Sequence, residues 1–418
     1  MPVYLWTHGL GLAGLSLLIG TSGVTFALSL RLWQYLSSHW SLKQLVTLTF
    51  ALEIALVVAV GLLSTVPGMP LFQSPSETPP TNQNDLIAAA MIIGGFNGLY
   101  NAFFWTTQRT LFLQQLGQND TGRQYGNFQI FVTLFLKVGI LMGGFLLDNG
   151  GFIWLLAISA GFSAASHLWL ARFTESRQHL HPPVERIKTR QSLQFSDNRG
   201  SRPAFAIDGI FLYLESHFWT LSLFLVVKQD FSKLGIAVVL LALGFAVLFF
   251  LIKNRIDHLA IEQVYRAAVY LYALSWLLRF TLDDESQGAT LMISLLVITF
   301  FSSFFRLAFN KRFFDVARDA ASGAARDAAR DVARDATRGA ARDAARDAAR
   351  REGALQYLLI KSYSSQWILG LFFMLTGILL VLFPTDTQLV LKVLYLAAAF
   401  LSIVYLSYRD KPVVVIAT

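Results

Sequence analysis

The chain contains no cysteine, which excludes disulfides and thiolate metal sites. Charge is scarce too: 14% of the 418 residues are Asp, Glu, Lys or Arg, against about 25% in soluble domains. A surface that poor in charge does not keep a chain of this size dispersed in water, so lipid is its expected solvent. No Gly-x-x-x-x-Gly-Lys stretch occurs, so a nucleotide-binding loop is not expected to drive any movement. No close pair of histidines falls within an apolar run, and no nucleophile constellation stands out, so neither a metal, a cofactor nor a catalytic residue is assigned. The first apolar run lacks a basic leader and a small-residue cleavage site, so it reads as a retained helix.

What the chain does have is long apolar runs. About eleven alternate with short polar connections, at roughly 6–34, 43–66, 86–114, 124–147, 151–172, 204–227, 233–253, 263–282, 288–310, 355–384 and 387–407. A helix of about 20 apolar residues matches the hydrocarbon core of a bilayer. Spanning segments must satisfy their own backbone hydrogen bonds, which makes helices the default. These runs are also too long for barrel strands. An all-α, multi-pass membrane protein follows.

The net charge of +8 does not point to nucleic acid, because the basic residues sit in alternate connections. One set is acidic or lacks Lys and Arg: 66–85 with Glu77 and Asp85, then Asp148, then Asp283, Asp284 and Glu285, then Asp386. The other set is basic: Arg31 and Lys43; Arg109 and Arg123; Arg172 to Arg202; Lys253, Arg255 and Arg266; Arg409 and Lys411. Lys228 and Lys233 break the pattern. By the positive-inside rule the N-terminus lies outside and the C-terminus in the cytoplasm of a cell inner membrane. The polar stretch 173–203 then divides an N-terminal bundle of about five spans, 1–172, from a C-terminal bundle of about six, 204–418.

Residues 315–351 carry an Ala-Ala-Arg-Asp repeat, with nine Arg and six Asp between Val316 and Arg351. Asp-to-Arg pairs three apart favour helix by about 0.2–0.5 kcal/mol each. A period of four spirals the charges around the rod and leaves no apolar face. The repeat reads either as a cytoplasmic arm for a protein partner or anionic lipid, or as an expansion tolerated in a solvent-exposed loop. Its near balance of charge argues against nucleic acid.

The two halves also echo one another. Gln108-Arg109 matches Lys311-Arg312, and Gly122-Arg123-Gln124-Tyr125 resembles 353–357. Both stretches then enter spans with spaced glycines, Gly139, Gly143 and Gly144 in one and Gly370 and Gly377 in the other. Halves of equal orientation imply a parallel repeat about the membrane normal. In this layout the chain resembles the major facilitator superfamily. Gly139-Ile-Leu-Met-Gly143-Gly144 looks like that family's fifth helix without its proline. Phe231-Ser-Lys-Leu-Gly235 and the later Lys253-Asn-Arg-Ile-Asp257 look like its seventh-to-eighth turn and its eighth-to-ninth loop. The match makes the first span here the second family helix and leaves the first one absent, while 31–44 lacks the family's Gly-Asp-Arg-rich signature. The resemblance implies two pseudo-symmetric bundles around a cavity lined by the span that begins near 204.

Ionisable residues inside spans cost about 2.5–3.5 kcal/mol at mid-helix, so they face a cavity or a partner. Asp208 and Glu215 are two turns apart and share a face; His217 lies on another. Glu215, near mid-span, reads as a carboxylate for a coupling proton or cation, or as half of a structural ion pair. Asp208 is expected nearer the inner end and solvated. Lys137 could attract an anionic substrate or pair with Glu215 or Glu53. Glu53 falls on a peripheral helix. Asn97, Tyr100 and Asn101 form a polar ridge, facing the cavity or serving helix contacts. Arg306, one turn after Ser302 and Ser303, could bind an anion or reach the interface. These residues imply secondary transport of a small molecule or ion by alternating access, with the proton as a candidate coupling ion. A non-transporting scaffold of the same fold is the alternative, and an intramembrane enzyme using Glu215 and His217 a third.

Overall fold

The computed structural model describes residues 2–7, 9–65, 83–115, 131, 132, 135, 138–147, 149, 151–173, 189–195, 197, 199–241, 261–282, 288–335 and 339–409. Lys137 and the segments 66–82, 116–130, 174–188, 242–260 and 283–287 lie outside them. All regular structure among the described residues is helical. In chain order the helices are α1 (Pro2–Thr7), α2 (Leu12–His39), α3 (Leu42–Thr65), α4 (Gln83–Gln115), α5 (Val138–Leu147), α6 (Phe152–Phe173) and α7 (Thr189–Leu193). They continue with α8 (Ser201–Tyr213), α9 (Trp219–Val226), α10 (Phe231–Leu241), α11 (Ile261–Thr281), α12 (Gly288–Asp335), α13 (Gly339–Leu382) and α14 (Thr387–Ser402). A π turn, Leu214–Phe218, joins α8 to α9, and a 3₁₀ turn, Ile403–Ser407, ends the last span.

Eight described helical stretches are long and apolar enough to cross a bilayer. The run at 263–282 is also helical, as α11, which carries Glu262, Arg266 and Arg279. Helices α5 and α10 hold the described parts of two further runs. The first run differs from expectation in being broken. Gly9, at φ +88°, lets the chain turn between α1 and α2. Residues Val3 and Leu5 of the small α1 are buried, and α1 packs on α2 and α9.

Helix α2 is the most central, with 72% of its apolar window buried, whereas the α6 window is 6% buried and faces outward. Ile153, Trp154, Phe162 and Trp169 accordingly lie exposed along α6, where lipid tails solvate them. Helix α2 packs between α4 and α13. Small residues allow this, because in lipid helix contact rests on close van der Waals approach. A Cβ on Gly20 would meet the Met374 main chain at 2.6 Å, and one on Gly23 would meet the Gly370 nitrogen at 2.8 Å. On the other side of α2, Gly94 and Gly98 of α4 abut the Leu18 and Ser22 carbonyls. A second glycine seam joins α5 to α10. There a Cβ on Gly144 would meet the Phe231 carbonyl at 2.7 Å, and one on Gly235 the Leu141 Cα at 3.0 Å.

The turn 227–230 is the exception to loop charge alternation. Lys233, in the first turn of α10, is paired at 3.0 Å with Asp230, which also caps α10 by accepting the Lys233 main-chain N–H at 2.8 Å. Those bonds hold the Asp230 carboxyl below the usual carboxylate range.

The repeat is helical where described. Helix α12 runs on from the apolar stretch Thr290–Ala317 to Asp335, and α13 begins at Gly339, ahead of its apolar stretch Gly353–Leu382. The segment from Ala317 to Asp335 alone extends about 27 Å at 1.5 Å per residue.

The glycine seams give a contrast. Gly23→Ala should destabilise the protein by about 1–3 kcal/mol through overpacking. Gly161→Ala, with nothing described within 4 Å, should be neutral or stabilising by up to about 1 kcal/mol. Thermal unfolding in detergent measures both, and equal effects would contradict the seam.

Candidate functional site: an intramembrane arginine shared by two carboxylates

The site begins with the capping of α8. The Asp197 carboxylate accepts the main-chain N–H of Arg199 at 3.3 Å and of Ser201 at 3.0 Å, and the Ser201 hydroxyl at 2.6 Å. Gly200, at φ +68°, turns the chain into the helix. Asp208 follows two turns in. The helix then widens into the π turn that carries Glu215, Ser216 and His217. Such widenings are uncommon and concentrate at functional sites.

Both carboxylates reach Arg306 of α12. Its Nη1 donates to Asp208 Oδ1 at 2.6 Å and its Nε to Glu215 Oε2 at 3.0 Å. Its Nη2 donates to the Tyr272 hydroxyl at 3.3 Å. Lys361 of α13 approaches the other side of Asp208, with Nζ 3.1 Å from Oδ2. The ammonium also lies 4.7 Å and 4.6 Å from the Phe309 and Phe313 ring centres. The Tyr405 hydroxyl donates to Asp208 Oδ1 at 3.2 Å. Four helices and the last turn of the chain thus converge on two negative and two positive groups.

The two carboxylates are not equivalent. Asp208 is 3% exposed and bonded through both oxygens. Glu215 is 18% exposed and bonded through Oε2 alone. Its Oε1 is buried and accepts no hydrogen bond from any described residue, although the Tyr272 hydroxyl lies nearby. A buried acceptor without a donor costs about 1–3 kcal/mol. Asp208 is thus bonded through both oxygens, whereas Glu215 keeps one oxygen without a donor among the described residues.

The sequence profile of the Major Facilitator Superfamily matches residues 1–333. The chain belongs to that superfamily. It is thus a multi-pass membrane protein of a transporter family and not an enzyme. No curated protein sequence matches it significantly. Among solved structures it is similar to a mutant form of the nucleoside transporter NupG, at 15% identity and TM-score 0.59, over 97% of this chain and 92% of that one. It is also similar to a bacterial homologue of the iron transporter ferroportin in an outward-facing state. That likeness has 16% identity and TM-score 0.52, over 98% and 93% of the two chains. At these identities the structures speak to fold.

Within this superfamily member, the expected residues sort themselves out. Asp208 and Glu215, expected on one face, both bond Arg306, but Asp208 is buried and ion-paired rather than solvated. Packing of α8 against α13 is the reason. Arg306 contacts the two carboxylates and reaches no helix end. Lys137 lies outside the described residues, so no pairing with it is assigned. Asn97 donates to the Ser22 hydroxyl at 3.0 Å, Asn101 to Asn97 at 3.1 Å, and Trp105 to Asn101 at 3.1 Å. That ladder ties α4 to α2. Tyr100 stacks on Phe104 at 5.5 Å, and the half-buried Glu53 lies electrostatically near the Tyr100 hydroxyl.

Sequence reasoning missed Lys361, Tyr272 and Tyr405. The lysine was visible as a charge within the run 355–384, and its rank equals that of Lys137. The tyrosines gave no signal among so many aromatics. Arg312 also departs from expectation. It sits in a basic connection by sequence, yet is 2% exposed, paired with Glu262 at 2.6 Å and over the Tyr265 ring at 3.5 Å.

Removing one partner of a buried pair leaves an uncompensated charge. Arg306→Leu should cost about 3–5 kcal/mol. Adding Glu215→Gln to it should restore part of that loss, with a coupling of about 1–3 kcal/mol in a thermal-unfolding double-mutant cycle. Strict additivity would contradict the shared arginine.

Proposed function

We propose that this protein is a secondary active transporter that moves a small solute by alternating access, coupled to protons through Glu215. One observation carries the reading: within the span formed by α8, the π turn and α9, Glu215 shares Arg306 with a locked Asp208 while one of its own oxygens stays unpartnered. Protonating Glu215 weakens its hold on Arg306 and leaves the guanidinium with Asp208. Deprotonating it restores the clamp. The π turn holding Glu215 and the helix holding Arg306 are thereby coupled to a proton. Lys361 keeps Asp208 compensated in both states. Asn97, Asn101 and Tyr100 line the N-terminal side of the solute path, Lys137 is a further candidate, and Glu53 is peripheral. Inorganic ions and small organic solutes both fit a polar passage of this kind.

Two bundles, 1–172 and 204–418, joined by 173–203, supply the moving parts. The two glycine seams support that division. Each pairs one helix from before residue 173 with one from after 203, α2 with α13 and α5 with α10. Helices α5 and α13 carry the glycines that echo one another in sequence. Exchanging the halves therefore exchanges one seam for the other, as two rocking bundles require. Loop charge supports a cytoplasmic membrane, with the N-terminus outside and the C-terminus inside.

A scaffold role is the second reading. The continuation of α12 and α13 beyond their apolar stretches favours it, since two helical arms suit a protein partner. Proteoliposomes separate the two. A solute found by thermal-shift screening should accumulate under an imposed pH gradient, and Glu215→Gln should abolish gradient-driven accumulation while leaving solute exchange. Unchanged gradient-driven flux in Glu215→Gln would remove Glu215 from coupling, and absence of flux for every stabilising solute would favour the scaffold.

A further inference from the structure

A second buried cation lies beside the first cluster without an ion pair to its carboxylates among the described residues. Arg279, near the C-terminal end of α11, is 3% exposed. An arginine two residues from a helix end ordinarily extends toward the interface. This one turns back along its helix. Its Nη1 donates to the Ser275 hydroxyl at 2.9 Å, one turn earlier, and its Nη2 to Ser302 of α12 at 2.8 Å. Its guanidinium carbon lies 4.1 Å from the Trp276 ring centre and 4.9 Å from that of Trp219.

Two tryptophan faces and two hydroxyls do not neutralise a charge. Among the described residues no carboxylate is ion-paired with Arg279. Glu215 acts on it at longer range, but Glu215 is already bonded to Arg306. The described groups of the two clusters therefore sum to an excess of one positive charge: Arg306, Lys361 and Arg279 against Asp208 and Glu215. The donors tell the same story. Arg279 Nε and Trp276 Nε1 are both buried and donate to no described group. Cation–π contact covers the faces of the guanidinium and leaves its in-plane N–H groups unused. Ser275 already gives its proton to the Tyr272 carbonyl at 2.7 Å, whereas the Ser302 hydroxyl, which accepts from Arg279, finds among the described residues only the Ser275 hydroxyl, at 3.4 Å, to donate to. An uncompensated buried cation beside unpaired donors is electrostatically incomplete, and a small anion would complete it.

We propose that Arg279, Trp276 and Ser302 form a binding site for a small inorganic monovalent anion of the chloride kind, between α11 and α12. Its N–H and O–H donors would come from these three residues, and Trp219 would cover the guanidinium from α9. The anion would neutralise the excess charge left by the Arg306 cluster, so its occupancy would stabilise the folded protein.

Equilibrium dialysis of the full chain in detergent with radiochloride tests the site. Wild-type protein should bind chloride saturably at about one per chain. Bromide should compete and gluconate should not. Arg279→Gln should lose saturable binding, and Trp276→Phe, which keeps the ring and removes one donor, should weaken it about tenfold. Glu215→Gln, which removes a nearby negative charge, should bind chloride at least as tightly as wild type. Melting temperature should rise when chloride replaces gluconate at constant ionic strength, in wild type and not in Arg279→Gln. Wild-type protein that binds no chloride would overturn the proposal whatever the variants do. So would undiminished binding in a folded Arg279→Gln protein.

Discussion

Ionic bonding at Arg306 is the constraint around which the interior is arranged. A guanidinium and two carboxylates within spans are each costly alone, and together they are tolerable only if the geometry is good. The geometry draws α8, the π turn, α11, α12, α13 and the last turn of the chain to one point. Asp208 receives Arg306, Lys361 and Tyr405. Glu215 receives Arg306 through Oε2, with the Tyr272 hydroxyl beside it. On the proposed reading that asymmetry divides the labour: one carboxylate would hold the helices together, and the other would keep an oxygen able to change its bonding. Buried pairs add little net stability, so a polar cluster here is better understood as a device for registry and switching than as glue.

The glycine seams supply the complementary property. Van der Waals contact between α2 and α13, and between α5 and α10, brings main chains close without locking them through long side chains. On the proposed reading these are the surfaces along which the two bundles would rock. The interior thus combines a fixed electrostatic point inside the later helices with smooth contacts between earlier and later ones. The asparagine ladder from Ser22 to Trp105 plays the fixing role for α2 and α4.

Much of this was legible in the sequence, and the reasons are specific. Apolar runs of membrane length announce themselves, because nothing in water would retain them. The placing of Asp208 and Glu215 on one face followed from a spacing of two turns. Long-range partners did not follow. Lys361 is 153 residues from Asp208 in the chain, and only the packing of α13 on α8 brings it there. Asp208 looked solvated because distance from a helix end is a poor guide to burial once a neighbouring helix covers the face. The break at Gly9 and the π turn at 214–218 are main-chain events, and apolar periodicity carries no mark of either. The arms of α12 and α13 were visible as a repeat, and their helicity agrees with its alanine content and Asp-to-Arg spacing.

Difference infrared spectroscopy on acidification reads the asymmetry between the two carboxylates most directly. Protonated carboxyl groups absorb apart from carboxylates, so the group that takes up the proton identifies itself by which substitution removes the band. The account predicts a protonated-carboxyl band in wild-type protein that vanishes in Glu215→Gln and persists in Asp208→Asn. A band that follows Asp208, or none at all, would contradict it.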